Sequence, residues 1–457
     1  MKHDSASTQE GTQNSPATQI LTFLQTLLAA DPHPLPFKRK RGHPVTLSHD
    51  HLWLAMLTAI LRGFTGFASV WRLITWGGVG SFPIVEMTRD GVRKRLLHAS
   101  LDSLHDLLAR VSQALLPWTS PFQDFTLAPF ATTILALDQS TLDAVQRKCQ
   151  DVCEEAKDSP ILLVGKLAAL FDLRRQQWVR LLLRDDVFAN EKLFVEELFG
   201  GIQAGTLILA DLGYFSFPWF DWLGDQGCWW ISRFRDKTSY TTEHIFFHRG
   251  TTIDALIWLG AYRADRCKHL VRLIQFEHGG LCYRYLTNVC DPSLLSMSEV
   301  ARLYARRWDI ELAFKALKGD LGIHLWWSSH PKLVLQQLFC ALILAQILHA
   351  LHLRVAFEAG VDLFDVSLPV LVTLLALAPA RLMGEGLLPL LVRKGREQGL
   401  IRPSRRYQAV VPALLEVYIP APPTLAWTRK PRYGRCKCKA RSHRPCFQPR
   451  FFSFFLI

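Results

Sequence analysis

Acid is scarce in this sequence. Its 457 residues carry 40 Asp and Glu against 53 Lys and Arg, a formal net charge of +13 and a pI of about 9.4. A deficit of that size points to polyanionic partners, nucleic acid first and anionic membrane second. An export signal is also missing: "MKHDSASTQEGTQNSPATQ" is polar, offers no apolar run, and reads as a disordered tail over residues 1–19. Without such a signal, the ten cysteines scattered along a long chain read as reduced and intracellular, not as a disulfide framework. No internal repeat marks a solenoid or propeller. Clean apolar runs of membrane-spanning length are lacking too. "LVLQQLFCALILAQILHALHL" (333–353) is broken by Gln336, Gln337, Gln346 and His349, and "LPVLVTLLALAPARL" (368–382) is short and bounded by prolines. Both read as buried helices of a large core, with no stable membrane insertion.

What is present changes character along the chain. Residues 20–125 show apolar positions at helical spacing in "ILTFLQTLLAA", "DHLWLAMLTAILRGF" and "LHASLDSLHDLLARVSQALL", which predicts a helical N-terminal domain suited to DNA binding. Strand-like runs follow: "TTILALD" (132–138), "ILLVGKLAALFDL", "QWVRLLLR", "TLILAD" (206–211) and "CWWISRFR", with "NEKLFVEELFGGI" as a helix among them. Over 237–290 the period is β-like, and "HLVRLIQFEHGGLCYRYLTN" predicts a hairpin turning at Gly279-Gly280. A helical region over 351–427 and a basic tail over 428–457 complete the chain. The order reads as α/β. Two strands end on acids, Asp138 and Asp211, and open α/β sheets bind ligands beyond the carboxyl ends of their strands. The two acids meet if their strands are neighbours. Taken singly, each reads as readily as a turn or cap residue.

The segment "YARRWDIELAFKALKGDLG" (304–322) carries a further acid. On a helix turning about 100° per residue, Tyr304, Arg307, Glu311 and Lys318 fall in one stripe roughly 60° wide. Leu303, Ile310, Phe314 and Leu317 form an apolar stripe directly beside it. Ser296 and Glu299 read as a capping box upstream, and Gly319 as a stop. One edge of the helix is therefore buried, and next to it a carboxylate stands among cations and a phenol. On this segment alone, an ordinary amphipathic helix with Glu–Lys and Glu–Arg pairs accounts for the stripe equally well.

Asp138, Asp211 and Glu311, with Y-x2-R-x3-E-x6-K filled by Tyr304, Arg307, Glu311 and Lys318, resemble the DDE transposases of bacterial insertion sequences, specifically the insertion-sequence-four family. "LALDQSTLD" resembles the block around the first aspartate and "GTLILADLGYFSFPWFDWLGDQGCWWISRFR" that around the second, while "YRYLTN" (283–288) resembles a segment near the glutamate. The likeness covers residues 130–350, and all four signature positions are filled. Gln139-Ser140-Thr141 is a mild departure. The resemblance implies an α/β fold: a ribonuclease H-like catalytic core over 130–350 with a mostly β insertion at 237–290, preceded by a helical N-terminal domain and followed by a helical C-terminal region.

It implies an activity as well: cleavage of DNA at the ends of an insertion sequence and strand transfer into target DNA, using two Mg²⁺ ions with Mn²⁺ as a substitute. Both steps are in-line displacements at phosphorus, which two metal ions about 4 Å apart assist. Mg²⁺ is hard and takes oxygen ligands, so three carboxylates suit it. Asp138 is expected to bridge the ions, with Asp211 and Glu311 completing either side. Arg307 and Lys318 are expected to hold DNA phosphates, and Tyr304 to bond a phosphate or stack at a distorted end. Trp308 suits base stacking or core packing equally, and Arg233 and Arg235 suit backbone contacts or plain solvation. The implied partners are double-stranded DNA, as terminal inverted repeats and target, and a second copy pairing two ends. The implied setting is a prokaryotic cytoplasm, with nucleoid association when bound. Two rivals stand: a catalytically inactive DNA-binding relic, and a membrane protein built on 333–382.

The tail "TRKPRYGRCKCKARSHRPCFQPR" (428–450) holds no acid and reads as a phosphate-binding arm. Cys436, Cys438, His443 and Cys446 within it are a candidate zinc set, at spacings tighter than a standard finger. Cys149 and Cys153 read as ordinary thiols. "FFSFFLI" is costly to expose and is expected to dock on the core or on a partner subunit.

Overall fold

The computed structural model describes residues 47–120, 123–144, 163–184, 195–261, 265–377, 386–404, 409–412, 417–433 and 452–455. The expectations for residues 1–19, "ILTFLQTLLAA", Cys149, Cys153 and the candidate zinc set lie outside them.

The N-terminal block is helical. Helix α1 (His49–Leu61) begins at Ser48, whose side chain accepts from the His51 amide, and buries almost every residue. Helix α2 (Phe67–Arg72) runs on into a π turn at Leu73–Gly77. The long periodic stretch near residue 100 divides into α3 (Arg89–His98) and α4 (Asp102–Thr119), because extended backbone at Ala99 ends the first.

Among the described residues, ten strands then build one sheet. They are β1 (Ile134–Ala144), β2 (Leu163–Asp172), β3 (Gln177–Arg184), β4 (Leu207–Ala210), β5 (Trp229–Arg233), β6 (Tyr240–Arg249), β7 (Thr252–Leu259), β8 (Val271–His278), β9 (Leu281–Thr287) and β10 (Phe452–Phe455), in spatial order β10-β3-β2-β1-β4-β5-β9-β8-β7-β6. Strands β1, β4 and β5 are parallel; β2 runs antiparallel between β1 and β3, so β3 again points the same way as β1. All four residues of β4 are buried, as expected of a parallel strand covered on both faces. A 3-10 turn (Leu212–Tyr214) and helix α5 (Phe217–Asp225) carry the chain from β4 to β5. The β-like stretch at 237–290 is a meander that pairs through β9 with β5, so it widens the central sheet. Its β8–β9 hairpin turns at Gly279 and Gly280, with φ of 59° and 75°, the left-handed pair that a tight two-residue turn requires. At the far edge, the backbone of β10 pairs antiparallel with β3, which places part of "FFSFFLI" on the core sheet.

Helices close the fold: α6 (Met297–Arg306), α7 (Trp308–Gly319), α8 (Pro331–Ala359), α9 (Leu368–Leu377) and α10 (Leu387–Gly395). The stretch expected as one helix over 304–322 is thus two, broken at Arg307. The capping box forms as expected, Ser296 and Glu299 bonding each other's backbone amides. Helix α8 is apolar and long enough to cross a membrane, yet 94% of its most apolar window is buried inside the protein. Its polar interruptions point inward: Gln336 donates to the Leu96 carbonyl, Gln337 to that of Leu325, and Gln346 to Ser112 and Trp178. Membership of the core explains the apolarity of this helix.

Candidate active site

The parallel pairing of β1 with β4 ends at Leu137 opposite Ala210. The next residue on each strand is an acid, so Asp138 and Asp211 stand side by side. Strand β1 does not stop at Asp138, as the sequence suggested, but continues to Ala144 paired with β2 alone. Its neighbour β4 does stop, and Asp211 opens the 3-10 turn. This mismatch in length exposes the flank of β1 just where Asp138 sits. Glu311 is in the first turn of α7, and its helix packs its buried stripe, Ile310, Phe314 and Leu317, into the core.

The segment around the α6–α7 break ties the three acids together. Tyr304, largely buried, donates its hydroxyl to Asp211 Oδ1 at 3.3 Å. The Arg307 guanidinium reaches Glu311 Oε1 with Nη2 at 2.6 Å and lies 3.7 Å through Nη1 from Asp138 Oδ2. The Lys318 ammonium donates to the Thr141 carbonyl on the extended part of β1. All four positions of the stripe therefore face the ends of β1 and β4. Arg233, the last residue of β5, is near enough for its charge to act on Tyr304. Arg235 instead donates to the Leu212 carbonyl and lies over Phe215, holding the loop after Asp211. Trp308 is exposed beside Arg307, its ring 5.7 Å from the guanidinium.

The electrostatics follow from burial and crowding. Asp138 is pushed up to about 6, first by loss of water; the Gln139 amide and Arg307 oppose the shift, and the charges of Glu311 and Asp211 add to it. Burial raises the Tyr304 phenol well above its ordinary range. For Arg307, burial favours loss of the proton, but Tyr304, Asp211, Glu311 and Asp138 outweigh it and hold the guanidinium charged.

The donor set suits a hard divalent cation: three carboxylates with neither thiol nor imidazole among them. Their present spacing does not. Among the described residues, no three His, Cys, Asp or Glu side chains come together closely enough to hold a metal ion. The Arg307 guanidinium bridges two of the acids instead.

A groove of about 620 Å³ opens at this point, lined by Asp138, Gln139, Glu311, Lys315, Lys318 and His324 among others. Lys315 and His324 were not singled out from the sequence. Lys315 lies four residues past Glu311, and the same angular reading would have placed it beside the stripe; His324 follows the helix and has no periodic signal. A second cavity, of about 380 Å³, lies between α5, β5 and the segment around Trp427, and none of the three acids lines it.

Residues 130–347 match the family model described as a transposase DDE domain. The matched span runs from just before β1 to the middle of α8, contains Asp138, Asp211 and Glu311, and supports a DDE transposase. No curated protein matches the chain.

Proposed function

We propose that the protein is a transposase of the insertion-sequence-four type that cleaves DNA at the ends of its element and joins them to target DNA. Asp138, Asp211 and Glu311 are its carboxylates, in a ribonuclease H-like core. The observation that supports this reading is that Asp138 and Asp211 follow the paired ends of β1 and β4, with Tyr304 bonded to Asp211 and Arg307 to Glu311. The strand order β3-β2-β1-β4-β5, with β2 alone running against the other four, supports the same core.

Asp138, Asp211 and Glu311 would hold the Mg²⁺ ions, or Mn²⁺ in their place, which when bound supply activation of the attacking oxygen and charge stabilisation on the leaving one. The rest falls to the chain. Lys315, Lys318 and His324 line the groove and present positive or hydrogen-bonding groups to a phosphate backbone, and Arg233 extends that surface past β5. Trp308, next to Arg307, offers an exposed ring on which a base could stack. The basic tail adds non-specific affinity for double-stranded DNA, at the terminal repeats and the target alike. The protein works as a dimer on paired ends in a prokaryotic cytoplasm, without membrane insertion.

The test is strand cleavage and transfer on DNA bearing the element's own ends, with Mg²⁺, comparing wild type with Glu311→Gln. End binding should survive the substitution and cleavage should vanish. A wild type that binds ends and never cuts is a DNA-binding relic. A Glu311→Gln protein that cuts normally removes Glu311 from the site.

A further inference from the structure

We infer that Arg307 is the internal counter-ion of the three-acid site and competes with divalent cations for it, so that its side chain has to withdraw before metal is held. The inference rests on the proposed metal use and adds a residue that controls it. Three observations converge. The guanidinium bridges Glu311 and Asp138, at 2.6 and 3.7 Å, where a bound cation would also draw on those oxygens. With Arg307 so placed, the acids do not stand at metal-holding distance. The position is also incompletely satisfied, because the buried Nε has no hydrogen-bond partner.

The structure offers the side chain somewhere to go. The rings of Tyr304 and Trp308 lie 5.8 and 5.7 Å from the guanidinium carbon, and Trp308 is exposed. A guanidinium leaving the carboxylates can stay over an aromatic face while it turns toward the groove, keeping part of its stabilisation. Arg307 lies where α6 gives way to α7, with helical φ of -54° and ψ of -31°, so the withdrawal asks for a change in its side chain alone. Like charges explain the competition. A dication beside a fixed guanidinium is repelled by it, whereas the same dication beside three acids alone is not.

The test is Mn²⁺ binding to the full chain without DNA, read from the free Mn²⁺ signal in electron paramagnetic resonance. Arg307→Gln should bind Mn²⁺ about tenfold more tightly than wild type, because a like charge is removed from the site. Glu311→Gln in the same background should abolish the gain. Should Arg307→Gln fail to fold, Arg307→Met carries the test: it too removes the positive charge from between the acids, so it should bind more tightly than wild type. Equal affinity in wild type and the Arg307 variants, lost in Glu311→Gln, overturns the competition and leaves the metal site standing. Absence of Mn²⁺ binding in every protein, with or without end DNA, overturns the metal reading and the competition with it.

Discussion

Arg306 and Arg307 are neighbours in the chain whose guanidinium groups serve opposite carboxylates. Arg306 Nε lies 2.8 Å from Asp309 Oδ2, on the buried side, whereas Arg307 Nη2 lies 2.6 Å from Glu311 Oε1, on the side of the groove. Asp309 also accepts from Gln176, a residue at φ 55° in the β2–β3 turn, so the inner pair fastens the start of α7 to the sheet. The division is testable. Asp309→Asn keeps the volume but removes the charge, and should cost about 2 kcal/mol in urea unfolding. Its Mn²⁺ affinity should stay within about twofold of wild type, because Arg307 and the three acids are untouched. Glu311→Gln should do the reverse, losing metal while keeping its unfolding midpoint. Loss of metal binding in Asp309→Asn would show that the two sides are not separate.

The insertion is held to α6 by a buried ion pair. Arg272 on β8 bonds Asp254 on β7 with both Nε and Nη2, neither side chain exposed, and donates its Nη1 to the Leu295 carbonyl just before α6. Removing one partner strands the other charge, so Asp254→Leu should cost about 3–5 kcal/mol. The double variant Asp254→Leu/Arg272→Met should regain much of that loss, since no unpaired charge remains. Urea unfolding of the single and double variants decides it. A double variant no better than the single means that the bond to Leu295, not the ion pair, matters most.

The candidate site and the frame around it were legible in the sequence only where the pattern was local. Local patterns suffice where one element decides a feature. The stripe of Tyr304, Arg307, Glu311 and Lys318 follows from helical geometry, and the β8–β9 hairpin from Gly279-Gly280. Placement of Asp138 next to Asp211 needed the pairing of β1 with β4, which are separated by β2, β3 and their connections. Strand-end acids suggested that pairing without requiring it. Two features were out of reach. Continuation of β1 past Asp138 depends on β2, whose ladder runs on after β4 has ended. The direction of Arg307 depends on which charges crowd it, and a helical wheel shows the side it faces without showing that it bridges two acids.

Helix α8 gives a prediction that runs against hydropathy. Gln346 accepts from the Trp178 amide and donates to the Trp178 carbonyl and the Ser112 hydroxyl. The β2–β3 ladder shifts register beside Trp178, and the Gln346 amide completes the backbone bonding there. Gln346→Leu would make α8 more apolar, yet it should destabilise the protein by about 2–3 kcal/mol, because it leaves buried donor and acceptor groups unmet. Chemical unfolding of the variant checks this. An unchanged or raised midpoint would mean that the ladder repairs itself without the side chain.

One turn further along α8, His349 is wholly buried against Phe171, its ring centroid 5.4 Å away, and its Nδ1 has no hydrogen-bond partner. Burial, with a smaller push from His352, lowers its pKa from the ordinary 6.5 to about 3. As pH falls below 6.5 the unfolded chain takes up the proton first, and the folded one resists until about pH 3. The stability that goes with a neutral His349 is therefore complete above pH 6.5 and is lost as pH falls, by about 1.4 kcal/mol for each pH unit. His352, also buried and lowered, with its Nε2 on the Val366 carbonyl and Asp309 acting on it in the opposite sense, adds a loss of its own. His349→Phe keeps an aromatic ring against Phe171 and removes the titration. Between pH 7.5 and 5.5 its unfolding free energy should fall by about 1 kcal/mol less than that of wild type. Parallel losses in the two proteins would show that protonation of this ring is not what weakens the core in acid.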